Sequence, residues 1–384
     1  MTSGTTVVSG RLVLDDRVAA GRIVIEGGLI AAVERGGAAA SEPAGSPAPY
    51  IAPGFVDVHV HGGGGHDAMG GREALDGMAR HLLRHGVTSF LPTAVTAPIG
   101  SLRAFAETVR TWQADAPGDG AEPLGFNMEG PFLAEARRGA HDPASLRVTA
   151  DVSAGDLEPL VDGLRLVTIA PELPGAIELI AWLRERGVRC SMGHSAADLA
   201  QSQAGYSVGG SSTTHVFNAM TGIDHRAPGL AVAALLDDAA YVELIADGIH
   251  VHPGLWPLIA RLKPADRLLL VSDAIALAGT GDGRGQIGGL EVEVVGERVT
   301  LAGTSTLAGS VLALDAAVRN LVASGQALPY AVAAASRNPL AMLGIRDRGR
   351  LATGQRADLV ELDEALRVRR VMRSGSWVVS PSST

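Results

Sequence analysis

Residues 54–273 run through eight apolar segments of strand length: "GFVDVHV" (54–60), "VTSFLPT" (87–93), "LGFNME" (124–129), "LRLVTIA" (164–170), "VRCSMGH" (188–194), "STTHVFN" (212–218), "YVELIAD" (241–247) and "DRLLLVSD" (266–273). Segments with apolar residues at helical spacing separate most of them, at 71–85, 100–113, 175–186 and 253–262 among others. Strands that alternate with helices build a parallel sheet, because each crossover returns the chain to the start of the next strand. Eight such units predict an α/β fold of the TIM-like (β/α)8 barrel type. The alternative is an open doubly wound sheet, which needs a G-x-G-x-x-G turn between its first strand and helix. "HGGGGHD" (61–67) does not match that turn, and the strands at the N-terminus lead into no helix.

Both ends of the chain read differently. Residues 5–36 form short strands separated by turns, with Gly27-Gly28 at a hairpin. "GQRADLVELDEALRVRRVMRSGSWVV" (354–379) is again strand, turn and strand. These ends predict a small β-sandwich domain assembled from 1–50 and 350–384, with 38–49 as an unstructured connector and the barrel over 51–349. The stretch 275–305 breaks the strand–helix rhythm and predicts a β-hairpin insertion at the C-terminal rim of the barrel. A chain of 384 residues, 46% of them apolar, has the material for one large and one small domain.

The net charge of −9 argues against nucleic acid as a partner. No uninterrupted apolar stretch is long enough to span a bilayer, so no membrane partner is expected either. The N-terminus lacks a basic region followed by an apolar one, so no secretory signal is expected. The single cysteine, Cys190, excludes an internal disulfide and fits a reducing cytoplasm. In "VRCSMGHS" it reads as a buried, inert thiol.

The chemistry is legible at the strand ends. In "PGFVDVHVHGGGGHD" (53–67) side chains alternate, so Asp57, His59 and His61 share one face and Val56, Val58 and Val60 the other. The third run ends in Glu129, the fifth in His194 and the eighth in Asp273; the sixth carries His215, and His250 follows the seventh. A lone histidine at such a place is more often structural than a ligand. Unpaired polar groups at that depth are expensive, however, and so many at one barrel mouth must bind something together. Imidazole and carboxylate without thiolate suit Zn, Fe, Co or Mn. Two divalent ions are plausible, one on His59 and His61 and one on His194 and His215, with Glu129 reaching both. Asp57 reads equally well as an acceptor for a histidine ring N–H or as an ordinary buried carboxylate.

The motifs "PGFVDVHVHG", "MEGPF", "GHS", "THVFNAM", "ADGIHV", "SDA" and "LAGSVLALDAAVRNLV", in this order, resemble the amidohydrolase superfamily, and within it the N-acetylglucosamine-6-phosphate deacetylases. The resemblance spans nearly the whole chain. It implies that His59, His61, Glu129, His194, His215 and Asp273 are the metal and catalytic set, with one or two divalent ions per chain. Some members lack the first histidine pair and hold one ion; keeping both favours two. Many two-metal amidohydrolases use a carbamylated lysine after strand four. The only lysine here, Lys263, lies elsewhere, which leaves Glu129 as the bridging group.

The implied reaction is hydrolysis of the acetamide of N-acetyl-D-glucosamine 6-phosphate to glucosamine 6-phosphate and acetate, in amino-sugar catabolism and cell-wall recycling. Asp273 would handle the proton, and His141 would stand near the acetyl carbonyl. Arg226, His250, Asn218 and Ala219 would hold the sugar phosphate, with Arg137 where relatives often carry lysine. The Arg137–Arg138 pair reads equally well as a solvated pair on a loop. A homodimer is implied, in which a neighbour's arginine could complete each site. His66, His81, His85 and His252 have weaker claims, with His81 and His85 expected on the surface. Residues 301–310 either line the acetyl pocket or form a tight connection. The alternatives are a deacetylase of N-acetylgalactosamine 6-phosphate or of another N-acyl amino compound and, behind them, a non-catalytic scaffold; the complete ligand set argues against the last.

Overall fold

The computed structural model describes residues 4–36 and 48–379, so most of the expected connector 38–49 lies outside the described residues. Eight parallel strands lie side by side in chain order: β1 (Phe55–Val60), β2 (Val87–Ala94), β3 (Phe126–Glu129), β4 (Leu164–Ile169), β5 (Arg189–Met192), β6 (Gly210–Thr213), β7 (Tyr241–Leu244) and β8 (Leu268–Leu270). A helix follows each, which makes the (β/α)8 barrel expected from the sequence. Strands covered on both faces should be apolar throughout, and β1 and β2 are buried at every position. The first helix, Arg72–Arg84, buries Leu75, Met78, Ala79, Leu82 and Leu83, the i, i+3, i+4, i+7, i+8 stripe that one helix face lays on a sheet.

The seam between β8 and β1 is joined just beyond the strand ends. The Asp273 amide donates to the His59 carbonyl at 2.9 Å, and the His61 amide donates to the Ala274 carbonyl at 2.8 Å. Two sides of the candidate site are thus tied through their own backbones. β6 is shorter than the sequence suggests. The apolar-polar alternation of "STTHVFN" reads as strand, but the chain leaves the sheet after Thr213 and turns inward, with φ of 27° at His215, 77° at Phe217 and 49° at Ala219.

Both termini contribute to one mixed seven-stranded sheet. Its order is Ser376–Val379, Val368–Arg373, Leu359–Leu362, Tyr50–Pro53, Thr6–Val13, Val18–Glu26, Leu29–Arg35. Backbone bonds from Ile30 to Gln355 and from Ala357 to Gly28 draw it around a core that includes Leu12, Ile23, Ile51, Leu359 and Met372. Glu122, paired beside β2, receives Arg348 and Arg356 and fastens this region to the barrel. The insertion is a three-stranded antiparallel sheet, Gly283–Ile287, Leu290–Val295 and Arg298–Leu301, instead of a hairpin. Ile287, Val292, Val294 and Val299 bury against Val95 and Ile275 at the barrel rim. The third strand escapes sequence reading because its partner surface is supplied by the barrel. No helix among the described residues is long and apolar enough to cross a membrane.

Candidate active site

β1 aims His59 and the following His61 into the barrel mouth, where their Nε2 atoms lie 3.2 Å apart. From β3, Glu129 reaches both: its Oε2 is 3.2 Å from His61 Nε2 and its Oε1 3.6 Å from His59 Nε2. Asp273 Oδ1, from the turn after β8, stands 3.2 Å from His61 Nε2 and 3.6 Å from His59 Nε2. On the other side of Glu129, His194 Nε2 and His215 Nε2 are 3.0 Å apart and each 2.9 Å from Glu129 Oε1. All six residues are buried.

The outer ring nitrogens decide what the inner ones can do. His59 Nδ1 meets the Glu243 carboxylate at 2.9 Å, His61 Nδ1 the Thr93 carbonyl at 3.1 Å, and His194 Nδ1 the Arg137 carbonyl at 2.9 Å. These partners only accept, so each Nδ1 carries the proton. In the neutral rings the three Nε2 lone pairs then face carboxylate oxygens and one another. That arrangement calls for a cation, and nitrogen with carboxylate oxygen is a donor set for a divalent metal. Two groups of ligand atoms are close enough to hold an ion, His59, His61, Glu129 and Asp273 in one and Glu129, His141 and His194 in the other.

The electrostatics say the same. Burial disfavours charge on His59, yet Glu129 and Asp273 overcome it and raise its pKa well above the ordinary value. His61 rises to about 9 against its own burial through hydrogen bonds to Asp273 and Glu129. Burial opposes the charge on the two acids as well, but the surrounding histidines hold Glu129 far below its usual range and Asp273 at about 2. His215 is raised, whereas burial dominates at His194 and lowers it to about 4.

The mouth opens into a cavity of about 360 Å³. His61, Glu129, His141, His194, His215 and Asp273 line it, together with Arg137, Asn218, Ala219, His250, Ile287, Thr306, Leu307 and Gly309. His250 is oriented by Asp247, whose Oδ2 lies 2.6 Å from its Nδ1. His141 differs from the other histidines. Its Nδ1 accepts from the Thr96 amide at 3.4 Å, so its Nε2, 3.3 Å from Glu129 Oε2, carries the hydrogen and acts as a donor. Seven non-glycine residues among those described have positive φ, and His194, His215, Phe217, Ala219 and Asp273 are five of them. Backbone strain collects where function does.

The amidohydrolase family profile matches residues 50–378. The chain belongs to the amidohydrolase family. Among curated relatives of this amidohydrolase, an N-acetylgalactosamine-6-phosphate deacetylase of Escherichia coli O157:H7 is 38% identical, over 94% of each chain. An N-acetylglucosamine-6-phosphate deacetylase of Danio rerio is 39% identical over 85% of this chain and 84% of its own length. Among solved structures, the N-acetylglucosamine-6-phosphate deacetylase of Thermotoga maritima superimposes with a TM-score of 0.90 at 32% identity, covering 98% of this chain and 100% of its own. A mutant Mycobacterium smegmatis deacetylase in complex with N-acetyl-D-glucosamine-6-phosphate gives 0.89 at 35% identity, over 98% and 100%. Family membership and the buried cluster together support the use of a divalent metal.

Other residues fall less simply. Arg226 sits on the exposed loop after β6, outside the residues that line the cavity, and its amide bonds Asp224 Oδ1 at 2.7 Å. Asp57 accepts the His59 and Ser272 amides, at 3.2 and 3.4 Å, and meets no ring N–H; that part is taken by Glu243. Glu243 is the residue that sequence reading missed. The available signal is an acid in the middle of an otherwise apolar run, "YVELIA". His81 and His85, expected on the surface, are half-buried with rings 4.9 Å apart, and His85 Nδ1 lies 3.1 Å from Asp315. Lys263 is buried far from the cluster, where its ammonium donates to the Ala234 and Asp237 carbonyls. Residues 301–310 do two things: Thr306, Leu307 and Gly309 line the cavity, and the Ser310 amide donates to the Asp273 carbonyl at 2.8 Å.

Proposed function

We propose that this amidohydrolase removes the acetyl group of N-acetylglucosamine 6-phosphate, releasing glucosamine 6-phosphate and acetate. The observation that carries this reading is the buried cluster of His59, His61, His194 and His215 around Glu129 and Asp273, opening on a cavity large enough for one sugar. These six residues would hold one or two divalent ions, of Zn, Fe, Co or Mn. Such an ion supplies a Lewis acid for the amide carbonyl and lowers the pKa of a water. Two ions suit the charge balance, because Asp57, Glu129, Glu243 and Asp273 are all buried in the barrel with no arginine or lysine among their partners in the described residues.

The chain's own groups complete the chemistry. Asp273 takes the proton of the attacking water and returns it to the departing amine nitrogen as the C–N bond breaks. The Nε2–H of His141, which meets Glu129 Oε2 at 3.3 Å in the cavity wall, would donate to the acetyl oxygen as charge develops there. Asn218, Ala219, His250 and Arg137 receive the phosphorylated sugar. Arg226 of the partner subunit in a homodimer supplies a further phosphate contact, in keeping with its exposed loop. A reducing cytoplasm suits the buried thiol of Cys190.

The relative named as an N-acetylgalactosamine-6-phosphate deacetylase supports a second reading, the same reaction on the epimeric sugar. Acetate release should be measured for both phosphorylated epimers and for unphosphorylated N-acetylglucosamine, with metal-reconstituted protein. The first reading expects N-acetylglucosamine 6-phosphate to be the best substrate and the unphosphorylated sugar to fall at least tenfold behind. A preference for the galacto epimer selects the second reading; equal use of phosphorylated and free sugar contradicts both.

A further inference from the structure

We propose that Glu243 is a positioning residue that holds the two halves of the candidate metal centre in register; the proposal rests on reading that centre as metal-binding. Glu243 lies on β7, fully buried, between Val242 and Leu244. One of its oxygens, Oε2, takes the His59 Nδ1 proton at 2.9 Å and the His215 amide proton at 3.3 Å. Its main-chain carbonyl takes the Val216 amide at 2.8 Å. Its other oxygen, Oε1, has no hydrogen-bond partner.

Each contact has a consequence at a different ligand. A carboxylate only accepts, so it fixes His59 with the proton on Nδ1 and the lone pair on Nε2, facing His61, Glu129 and Asp273. At His215 the bond is to the backbone, at φ 27°, a conformation that a side-chain-bearing residue rarely adopts. Together with the Val216 bond it keeps the chain turned so that His215 Nε2 faces Glu129. One buried acid thus selects the protonation state of a ligand in one half and the backbone path of a ligand in the other. The unpartnered Oε1 adds a third point. A buried carboxylate with an open lone pair is costly unless positive charge stands close, and ions on His59 and His215 would supply it.

Two substitutions separate geometry from charge. In Glu243→Gln the amide oxygen can keep both Oε2 contacts while its NH2 group takes the place of Oε1, so hydrogen bonding survives and the charge is lost. In Glu243→Leu both are lost. The probe is Co²⁺, titrated into metal-free wild type and both variants, with affinity from chelator competition, bound ions from elemental analysis, and ligand geometry from the visible absorption of the bound cobalt. The expected result is two ions in the wild type, affinity weakened roughly ten- to a hundredfold in Glu243→Gln, and loss of at least one ion with an altered cobalt spectrum in Glu243→Leu. A Gln variant that matches the wild type in affinity and spectrum overturns the charge part, and a folded Leu variant that also matches it overturns the proposal entirely. If the Leu variant fails to fold, Glu243→Ala, which also removes both contacts, takes its place in the same cobalt titration. A wild type that binds no cobalt overturns the reading of the centre and this inference with it.

Discussion

At the residue scale, the account turns on Asp273. Its carboxylate lies 3.2 Å from His61, and the neighbouring histidines hold its pKa at about 2, so it is ionised at neutral pH. Asp273→Asn should keep the fold and lower turnover by roughly 10²–10⁴-fold, measured as kcat alongside a melting curve; near-normal turnover would remove Asp273 from its role. His61 gives a second test. Its folded pKa of about 9 lies above the ordinary 6.5, so in metal-free protein the folded state binds the extra proton between those values. The stabilisation is fully present below about 6.5 and is lost as pH rises through 9. The melting temperature of metal-free protein should therefore fall across that window, while metal-loaded protein, with a cation in place of the proton, should not follow it; parallel profiles would contradict the cluster's charge logic. Much of this was legible in the sequence, because His59, His61, Glu129, His194 and Asp273 each close an apolar run and polar groups at strand ends need partners. Glu243 was not. Within a run read as a strand, nothing local says which face its side chain takes, or that His59, 184 residues earlier, stands opposite.

At the scale of elements, the segment after the insertion braces the turn after β8 that carries Asp273. The Ile275 amide donates to the Ser310 carbonyl at 3.0 Å, and the Ser310 hydroxyl donates to the Ser272 carbonyl at 2.6 Å. Gly309 permits this contact. It has φ 63°, and a Cβ there would meet Ile275 Cγ2 at 2.6 Å and the Asp273 carbonyl at 3.0 Å. Gly309→Ala should therefore push Asp273 out of place and lower kcat about tenfold or more, with a smaller effect on KM; a 1 Å misplacement at a reacting group has that order of effect. Unchanged kcat would show that the segment is only a connection. The strand–helix rhythm announced the barrel, since each element's periodicity is local. Two features depend on contacts made elsewhere and stayed hidden: the early end of β6, imposed by the inward turn of His215, and the third strand of the insertion, which packs on Val95 and Ile275.

At the scale of the whole molecule, the two arginines expected to hold the phosphate are placed differently. Among the described residues Arg137 is the one arginine that lines the cavity, and Arg226 lies outside on an exposed loop that also carries the exposed Ile223. A homodimer that brings Arg226 of the partner subunit to the phosphate predicts that Arg226→Ala raises KM for the phosphorylated sugar roughly ten- to a hundredfold, the weight of one charge-assisted contact, and leaves kcat nearly unchanged. Mixing Arg226→Ala chains with Asp273→Asn chains should then restore tight-binding activity, because one site of the mixed dimer combines an intact Asp273 with an intact Arg226; no recovery would place Arg226 in its own subunit's site or outside function. The central claim, a metal-dependent deacetylase built on the His59–Asp273 cluster, is tested most directly by acetate release from N-acetylglucosamine 6-phosphate before chelation, after removal of metal, and after stoichiometric reloading with Zn²⁺ or Co²⁺. The account predicts that release stops on stripping and returns as the first one or two equivalents per chain are restored. Release that persists in the stripped protein, or that fails to appear with two ions bound, would contradict it.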